Sequence, residues 1–224
     1  MIPLRSTERI HSTAVVTASL IALNTLIFLY QATLNPYDLN TFVSQWGIVP
    51  DQMRGWGLIT LFTSMFLHGG WLHLIFNMLY LWAFGRNLED LIGGPRFLAF
   101  YILCGLAAGV VHVIVNGYSR VPTIGASGAI AGVMGGYLIK FPRSRILALL
   151  PIFIFWTTIE IPAPFLLLFW FAMQFFSGIW SLGTTDYSGG GVAWFAHIGG
   201  FLFGMLLIRM FPARQRWRAW YEEE

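Results

Sequence analysis

Long apolar runs that are almost free of charged side chains recur along this chain of 224 residues. Crossing a bilayer core of about 30 Å takes about 20 residues of helix, and six runs suit such helices: residues 13–30, 67–84, 97–115, 128–139, 165–179 and 194–211. Only 10% of the residues are charged, against about 25% in an average soluble domain. This composition excludes a soluble enzyme, a nucleic-acid-binding domain, a coiled coil and a disordered chain. It predicts an all-α membrane protein, a bundle of six transmembrane helices.

A further apolar stretch, residues 146–155, does not suit a spanning helix. Pro151 interrupts it, and Pro142, Pro162 and Pro164 flank it, so we expect a re-entrant or interfacial segment. The chain is interpreted as one membrane domain, residues 1–224. In this interpretation, residues 1–12 and 212–224 are cytoplasmic ends, and residues 13–211 form the six-span core.

The basic residues predict the orientation, because arginine and lysine accumulate on the cytoplasmic side of membrane proteins. All 13 basic residues except Arg54 and Arg120 fall before span one, between spans two and three, after span four, or at and beyond the end of span six. Both termini are therefore predicted to be cytoplasmic, in the plasma membrane. Spans two, four and six then enter from the extracytoplasmic side.

Polar side chains inside a bilayer are costly and tend to mark function or helix packing. In the predicted topology, a set of them lies near the outer ends of spans two, four and six: His68, His73, Asn77, Ser127 and His197. Span four is short, because the 14 residues from Ser127 to Lys140 give only about 20 Å of helix. We therefore expect this helix to begin inside the membrane, with Ser127 roughly 10 Å below the outer surface.

Glycines predict how the fourth and sixth spans pack. Gly128, Gly132 and Gly136 recur every four residues on span four, as do Gly200 and Gly204 on span six. Such spacing lets two helix backbones approach closely, and it would bring Ser127 and His197 together. A serine within hydrogen-bond reach of a histidine is an arrangement for nucleophilic catalysis. Ser127 would attack, and His197 would take its proton.

The remaining polar groups suit an oxyanion hole. His73 and Asn77 are four residues apart, on one face of a helix, and both side chains can donate hydrogen bonds. The backbone amides at the start of span four also favour negative charge. These groups could stabilise the oxyanion of a tetrahedral intermediate.

Three motifs in this order resemble those of the rhomboid intramembrane serine proteases. They are His-x-x-x-Asn (His73, Asn77), Gly-x-Ser-Gly (Gly125, Ser127, Gly128) and Ala-His-x-x-Gly (Ala196, His197, Gly200). The resemblance implies Ser127 as nucleophile, His197 as base, and an oxyanion hole of His73, Asn77 and the Ser127 amide. It also implies a structural role for His68 and a bracing role for Glu89. Residues 183–192 would form a mobile cap, and the span containing Phe169, Trp170 and Trp180 would form the side of substrate entry.

Two positions depart from the family pattern. The Trp-Arg pair of the first outer loop is missing, since Gly57 follows Trp56. The fourth position after the nucleophile, often an aromatic residue packed against the base, is Ala131. Another residue must therefore hold His197, and a neighbour on span two or five is expected. Gln174 is predicted to bridge helices, and His112 to be a packing histidine.

The favoured function is a serine endopeptidase that cuts single-span or polytopic membrane proteins near the extracytoplasmic face, with no cofactor, metal or nucleic acid. The alternative is a non-catalytic rhomboid-like protein that binds or escorts membrane clients. A zinc site of His68, His73 and His197 is conceivable, but no His-Glu-x-x-His motif occurs. A transporter is less favoured, because the spans carry no charge pairs.

Overall fold

The computed structural model describes residues 2–152, 155–182 and 193–214. The described helices are, in chain order, α1 (Val15–Thr33), α2 (Pro36–Trp46), α3 (Thr60–Thr63), α4 (Trp71–Tyr80), α5 (Arg86–Ile92), α6 (Gly94–Val115), α7 (Ser127–Lys140), α8 (Ala163–Leu182) and α9 (Trp194–Leu207). One π-helical turn (Leu81–Gly85) joins α4 to α5, so that they continue one another. The described strands are β1 (Ile2–Ser6), β2 (Arg145–Ile152) and β3 (Phe155–Pro162).

Three of these helices, α1, α6 and α8, are long and apolar enough to cross a membrane. A fourth crossing is possible if the segment Gly57–Phe66 and the continuous helix Trp71–Ile92, bent by 81° at their junction, count as one span. Helices α7 and α9 have 14 residues each. The fold is mostly helical, and the count of six spans stays a prediction.

Helix α1 shows how the sequence is arranged around the bundle. Its polar side chains Thr17, Asn24 and Gln31 are buried, whereas Leu26 is 64% exposed. This is the reverse of a soluble helix and suits lipid as the outer solvent, because polar side chains are costly in lipid and are better placed inside the protein. Helix α8 follows the same rule, with exposed Phe176 and buried Gln174.

A three-stranded antiparallel sheet in the order β1–β2–β3 corrects the all-α prediction. Of the stretch 146–155, predicted to be re-entrant or interfacial, residues 146–152 lie in β2 and residue 155 begins β3. In β2 the buried Ile146 and Ala148 alternate with the more exposed Arg145 and Leu147, which is the periodicity of a strand. The predicted cytoplasmic N-terminus contributes β1, which pairs with β2 from Ile2↔Leu149 to Ser6↔Ile146.

Hydrogen bonds attach this sheet to the end of α7 that lies farthest from Ser127. The hydroxyl oxygens of Tyr137 and Ser6 are 2.6 Å apart. The Tyr137 hydroxyl also donates to Ser144 Oγ over 2.9 Å. Tyr137 is fully buried. These hydrogen bonds therefore hold the C-terminal end of α7 against the sheet.

Glu89 braces the first turn of α1 from a neighbouring helix. Its two carboxylate oxygens accept hydrogen bonds from the Val16 amide (2.9 Å), the Thr17 amide (2.7 Å) and the Thr17 hydroxyl (2.8 Å). The first amides of a helix lack acceptors within the helix, and the helix dipole favours a negative charge there. Glu89 thereby takes the bracing position that the family resemblance implies.

We therefore expect Glu89→Ala to lower the free energy of unfolding by about 2–3 kcal/mol, because three buried donors lose a charged acceptor. Unfolding in detergent by heat or denaturant measures this change. The matched control is Asp51→Ala, which removes an exposed ion pair with Arg120 and should cost at most about 0.5 kcal/mol. Equal losses in the two variants would contradict the bracing role.

Candidate active site

Close packing of α7 against α9 positions the two central side chains. A Cβ atom built at Gly200 would overlap the carbonyl oxygen of Gly128, and one at Gly204 would overlap that of Gly132. The glycine spacing predicted this approach, and only glycine permits it, because the contacts are with backbone.

Ser127 and His197 meet at the top of this contact. Ser127 is the first residue of α7, and His197 lies in the first turn of α9. The distance between Ser127 Oγ and His197 Nε2 is 2.7 Å. His197 is only 8% exposed, so its imidazole is shielded from bulk solvent.

Gly125 shapes the backbone just before the serine. Its φ angle is +131°, in a region that side chains rarely adopt. A Cβ atom there would lie 2.9 Å from Cε1 and Nε2 of His73. Glycine is therefore required for the turn and for the close approach of His73.

His73 and Asn77 both lie on α4 and line the same cavity as Ser127 and His197. The Gly69 amide donates to His73 Nδ1 over 3.3 Å, so the proton of a neutral imidazole lies on Nε2, which can donate. Asn77 Nδ2 is buried and has no hydrogen-bond partner in the described part of the chain. Two donors are thus available to an acceptor placed beside Ser127.

The cavity has a volume of about 530 Å³. Its walls come from α4, α7, α8, α9 and the segment before α7, and its lining includes Phe76, Tyr80, Thr123, Ile130, Met134 and Trp170. An apolar cavity with a few convergent polar groups is typical of a binding site. The predicted cap, residues 183–192, lies outside the described residues.

Comparison with known families decides what kind of protein this is. The family model of the Rhomboid domain matches residues 55–214, a range that contains all the residues of this site. The chain belongs to the rhomboid family. The resemblance inferred from the three motifs is thereby confirmed.

Several curated rhomboid proteins are similar to this chain. Rhomboid protein 1, mitochondrial, from Saccharomyces cerevisiae is 31% identical over 152 residues, which are 66% of this chain and 40% of that protein. Two relatives come from Bacillus subtilis: rhomboid protease GluP, 40% identical over 78 residues (35% of this chain, 15% of GluP), and putative rhomboid protease YdcA, 32% identical over 112 residues (50% of each). The chain thus spans half or less of the length of each of these relatives.

His68 does not lie on the second span as predicted. The helix of this rhomboid begins at Trp71, so His68 falls in the extended segment before it. Its backbone is held by Gln31 of α1, whose Oε1 accepts from the His68 amide (3.0 Å) and whose Nε2 donates to the His68 carbonyl (3.2 Å). The His68 and His73 rings lie 5.1 Å apart. His68 therefore supports His73 from the side, consistent with a structural role.

Gln174 contacts His197 directly, a partner that the sequence did not indicate. Its Oε1 lies 2.7 Å from His197 Nδ1. One turn earlier on α8, the Trp170 ring lies 5.7 Å from the His197 ring. These two residues of α8 therefore contact the His197 ring. The sequence predicted that a residue on span two or five holds His197, and α8 corresponds to span five. Gln174 itself was expected only to bridge helices.

The zinc alternative finds no support in the donor groups. Among the described residues, no three His, Cys, Asp or Glu side chains are grouped so that they could hold a metal ion. His112 belongs to a separate contact, with Nε2 lying 2.8 Å from Thr123 Oγ1. His112 thereby holds the segment that precedes Ser127. This contact goes beyond the packing role that the sequence predicted for His112.

Proposed function

We propose that this rhomboid protein is an intramembrane serine endopeptidase that cleaves transmembrane segments of other membrane proteins. The observation that carries the proposal is the 2.7 Å hydrogen bond between Ser127 and His197 at the wall of a cavity with unused donors. A role limited to binding or escorting membrane clients requires neither feature. The two B. subtilis relatives are named as a protease and a putative protease, which also favours catalysis.

In the proposed mechanism, the Ser127 hydroxyl donates its proton to His197 Nε2 while Oγ attacks the carbonyl carbon of the scissile bond. The carbonyl oxygen becomes an oxyanion, which accepts hydrogen bonds from His73 Nε2, Asn77 Nδ2 and the Ser127 amide. His197 then gives the proton to the leaving amine, and an acyl-enzyme remains. Water activated by His197 hydrolyses the ester and restores Ser127.

The substrates follow from the surroundings of the cavity. Because it lies within a bundle whose outer surface is apolar, a transmembrane helix is the substrate that reaches it from the lipid. A peptide bond inside a regular helix is shielded, so we propose that substrates carry helix-weakening residues near the cut. The charge distribution favours a plasma-membrane orientation with cytoplasmic termini and Ser127 toward the extracytoplasmic side.

A fluorophosphonate probe tests the proposed function, because it reacts only with an activated serine. We expect the purified protein to be labelled and Ser127→Ala to lose all labelling. The control is Ser144→Ala, because Ser144 is also buried but lies at the other end of α7 beside Tyr137. An intact wild-type protein that does not react would overturn the protease proposal in favour of client binding.

The oxyanion hole leads to a separate kinetic prediction for Asn77. Removing one oxyanion donor typically costs about 10²–10³ in kcat. For Asn77→Ala we expect roughly 10–10²-fold, because His73 and the Ser127 amide still donate. KM should change little if chemistry is the slow step.

Kinetics in reconstituted membranes, with thermal stability measured alongside, distinguish the possible roles of Asn77. The matched control is Asn24→Ala, which removes a buried asparagine of α1 that bonds the Leu20 carbonyl, away from the cavity. Its kcat should stay at the wild-type value. A raised KM at constant kcat would assign Asn77 to substrate binding instead, and a loss of stability alone would make it a packing residue.

A further inference from the structure

The inner face of α8 presents an amide to the catalytic base. Gln174 is 7% exposed, whereas its neighbours Met173 and Phe175 are 52% and 43% exposed. Ser177 and Ser181 of the same helix are only partly buried, so Gln174 is the polar side chain that α8 directs inward. Its Oε1 lies 2.7 Å from His197 Nδ1, on the side of the ring opposite Ser127.

This contact determines where the imidazole proton lies. An amide oxygen only accepts hydrogen bonds, so the Nδ1 atom that meets it must carry the proton. The Nε2 atom of a neutral ring is then unprotonated and accepts from the Ser127 hydroxyl at 2.7 Å. The opposite tautomer would direct an N–H at Ser127 and could not take its proton.

The ring plane is fixed from the same helix. Trp170 lies four residues before Gln174, hence on the same face of α8, and its ring is tilted by 37° to that of His197. Trp170 in turn contacts Phe201 of α9, with ring centroids 6.1 Å apart. The two α8 residues therefore restrict both the rotation and the position of His197.

A neutral partner suits this location. Among the described residues that line the cavity beside His197, none is acidic. An ionised carboxylate inside an apolar bundle would cost several kcal/mol unless paired. An amide offers the same acceptor geometry without that cost.

We propose, on the basis of the Ser127–His197 mechanism above, that Gln174 is the positioning residue of the base. Its amide oxygen holds His197 in the tautomer that accepts the serine proton, as the carboxylate does in a Ser-His-Asp triad. Trp170 keeps the ring in the plane from which Nε2 reaches Ser127. The proton passes only between Ser127 of α7 and His197 of α9, and Gln174 of α8 orients the imidazole for that transfer.

The test replaces the amide by an apolar side chain of similar size, Gln174→Leu. Removing the orienting acceptor of a catalytic histidine has cost about 10⁴-fold in a triad where the tautomer was reversed. Here we expect roughly 10–10²-fold in kcat and in fluorophosphonate labelling rate, because Trp170 still holds the ring and no charge is lost. KM should stay unchanged. Gln174→Glu retains an acceptor oxygen for Nδ1 and should lose less of the rate than Gln174→Leu.

Nitrogen NMR of the histidine side chains measures which ring nitrogen carries the proton. A merely structural role of Gln174 would not change that position. In the wild-type protein we expect His197 to carry its proton on Nδ1, and in Gln174→Leu a substantial shift toward Nε2. Met173→Leu is the control, because Met173 is adjacent on α8 but exposed; it should leave the rate and the tautomer unchanged. Should Gln174→Leu fail to fold, Gln174→Met serves as the second variant.

The outcomes separate this inference from the proposed function. A Gln174→Leu protein with the wild-type labelling rate and the wild-type tautomer overturns the positioning role, even if Ser127→Ala abolishes labelling. A lower melting temperature with an unchanged tautomer also overturns it. If the wild-type protein is not labelled at all, the protease proposal fails, and the tautomer measurement alone then decides whether Gln174 orients His197.

Discussion

Ser127→Ala and His197→Ala are each expected to lower proteolysis by at least about 10³-fold, because nucleophile and base act as one unit. Neither truncation removes a packing contact of the α7–α9 backbones, which is made by glycines. The fold should therefore survive in both variants. Cleavage of a transmembrane substrate in liposomes, with thermal unfolding as the check on folding, measures the loss.

The same assay distinguishes serine from metal chemistry. In the proposed mechanism the proton passes between Ser127 and His197, so EDTA should leave the wild-type rate unchanged. Strong inhibition by the chelator, reversed by added zinc, is the result that would contradict the dyad. So would a Ser127→Ala protein that retains substantial activity while His197→Ala loses it.

Local sequence patterns were enough to predict the centre of the site. The four-residue spacing of Gly200 and Gly204 fixes the face of α9 that meets α7, and His197 is three residues before Gly200 on that face. Small residues allow a close approach wherever they line up. The proximity of His197 to Ser127 could therefore be inferred without knowing the rest of the fold.

The sheet could not be predicted in this way. An apolar stretch such as residues 146–155 does not distinguish a strand from a buried helix by periodicity alone. Its partner β1 is also about 140 residues earlier in the chain, at Ile2–Ser6. A pairing at that separation leaves no signal in the local sequence.

The role of Gln174 was missed for a different reason. Helix α8 is apolar around almost its whole circumference, with exposed Phe165, Phe169 and Trp180. A helix of this kind has no polar stripe that would indicate its inward face. Only the position of α9 shows that Gln174 and Trp170 meet the base.

Gly200→Ala is expected to lower both the free energy of unfolding and kcat. The added Cβ would overlap the carbonyl oxygen of Gly128, and backbone cannot rotate away as a side chain can. Overpacking typically costs about 1–3 kcal/mol, and we expect the upper end of that range. Since the two helices must separate, His197 moves away from Ser127. A misplacement of about 1 Å can cost 10²-fold in rate, so kcat should fall by at least about that factor.

Gly178→Ala is the matched control for this substitution. A Cβ at Gly178 would lie 3.3 Å from Trp194 Cβ and 3.5 Å from Ile198 Cδ1, so it would need a shift of a few tenths of an ångström at most and would overlap no backbone atom. Alanine also favours a helix by about 1 kcal/mol over glycine. Gly178→Ala should therefore keep its stability and its rate, while Gly200→Ala loses both. The contrary outcome is a Gly200→Ala protein with the melting temperature and the cleavage rate of the control. In that case α7 and α9 have room between them, and the close backbone contact does not set the distance between Ser127 and His197.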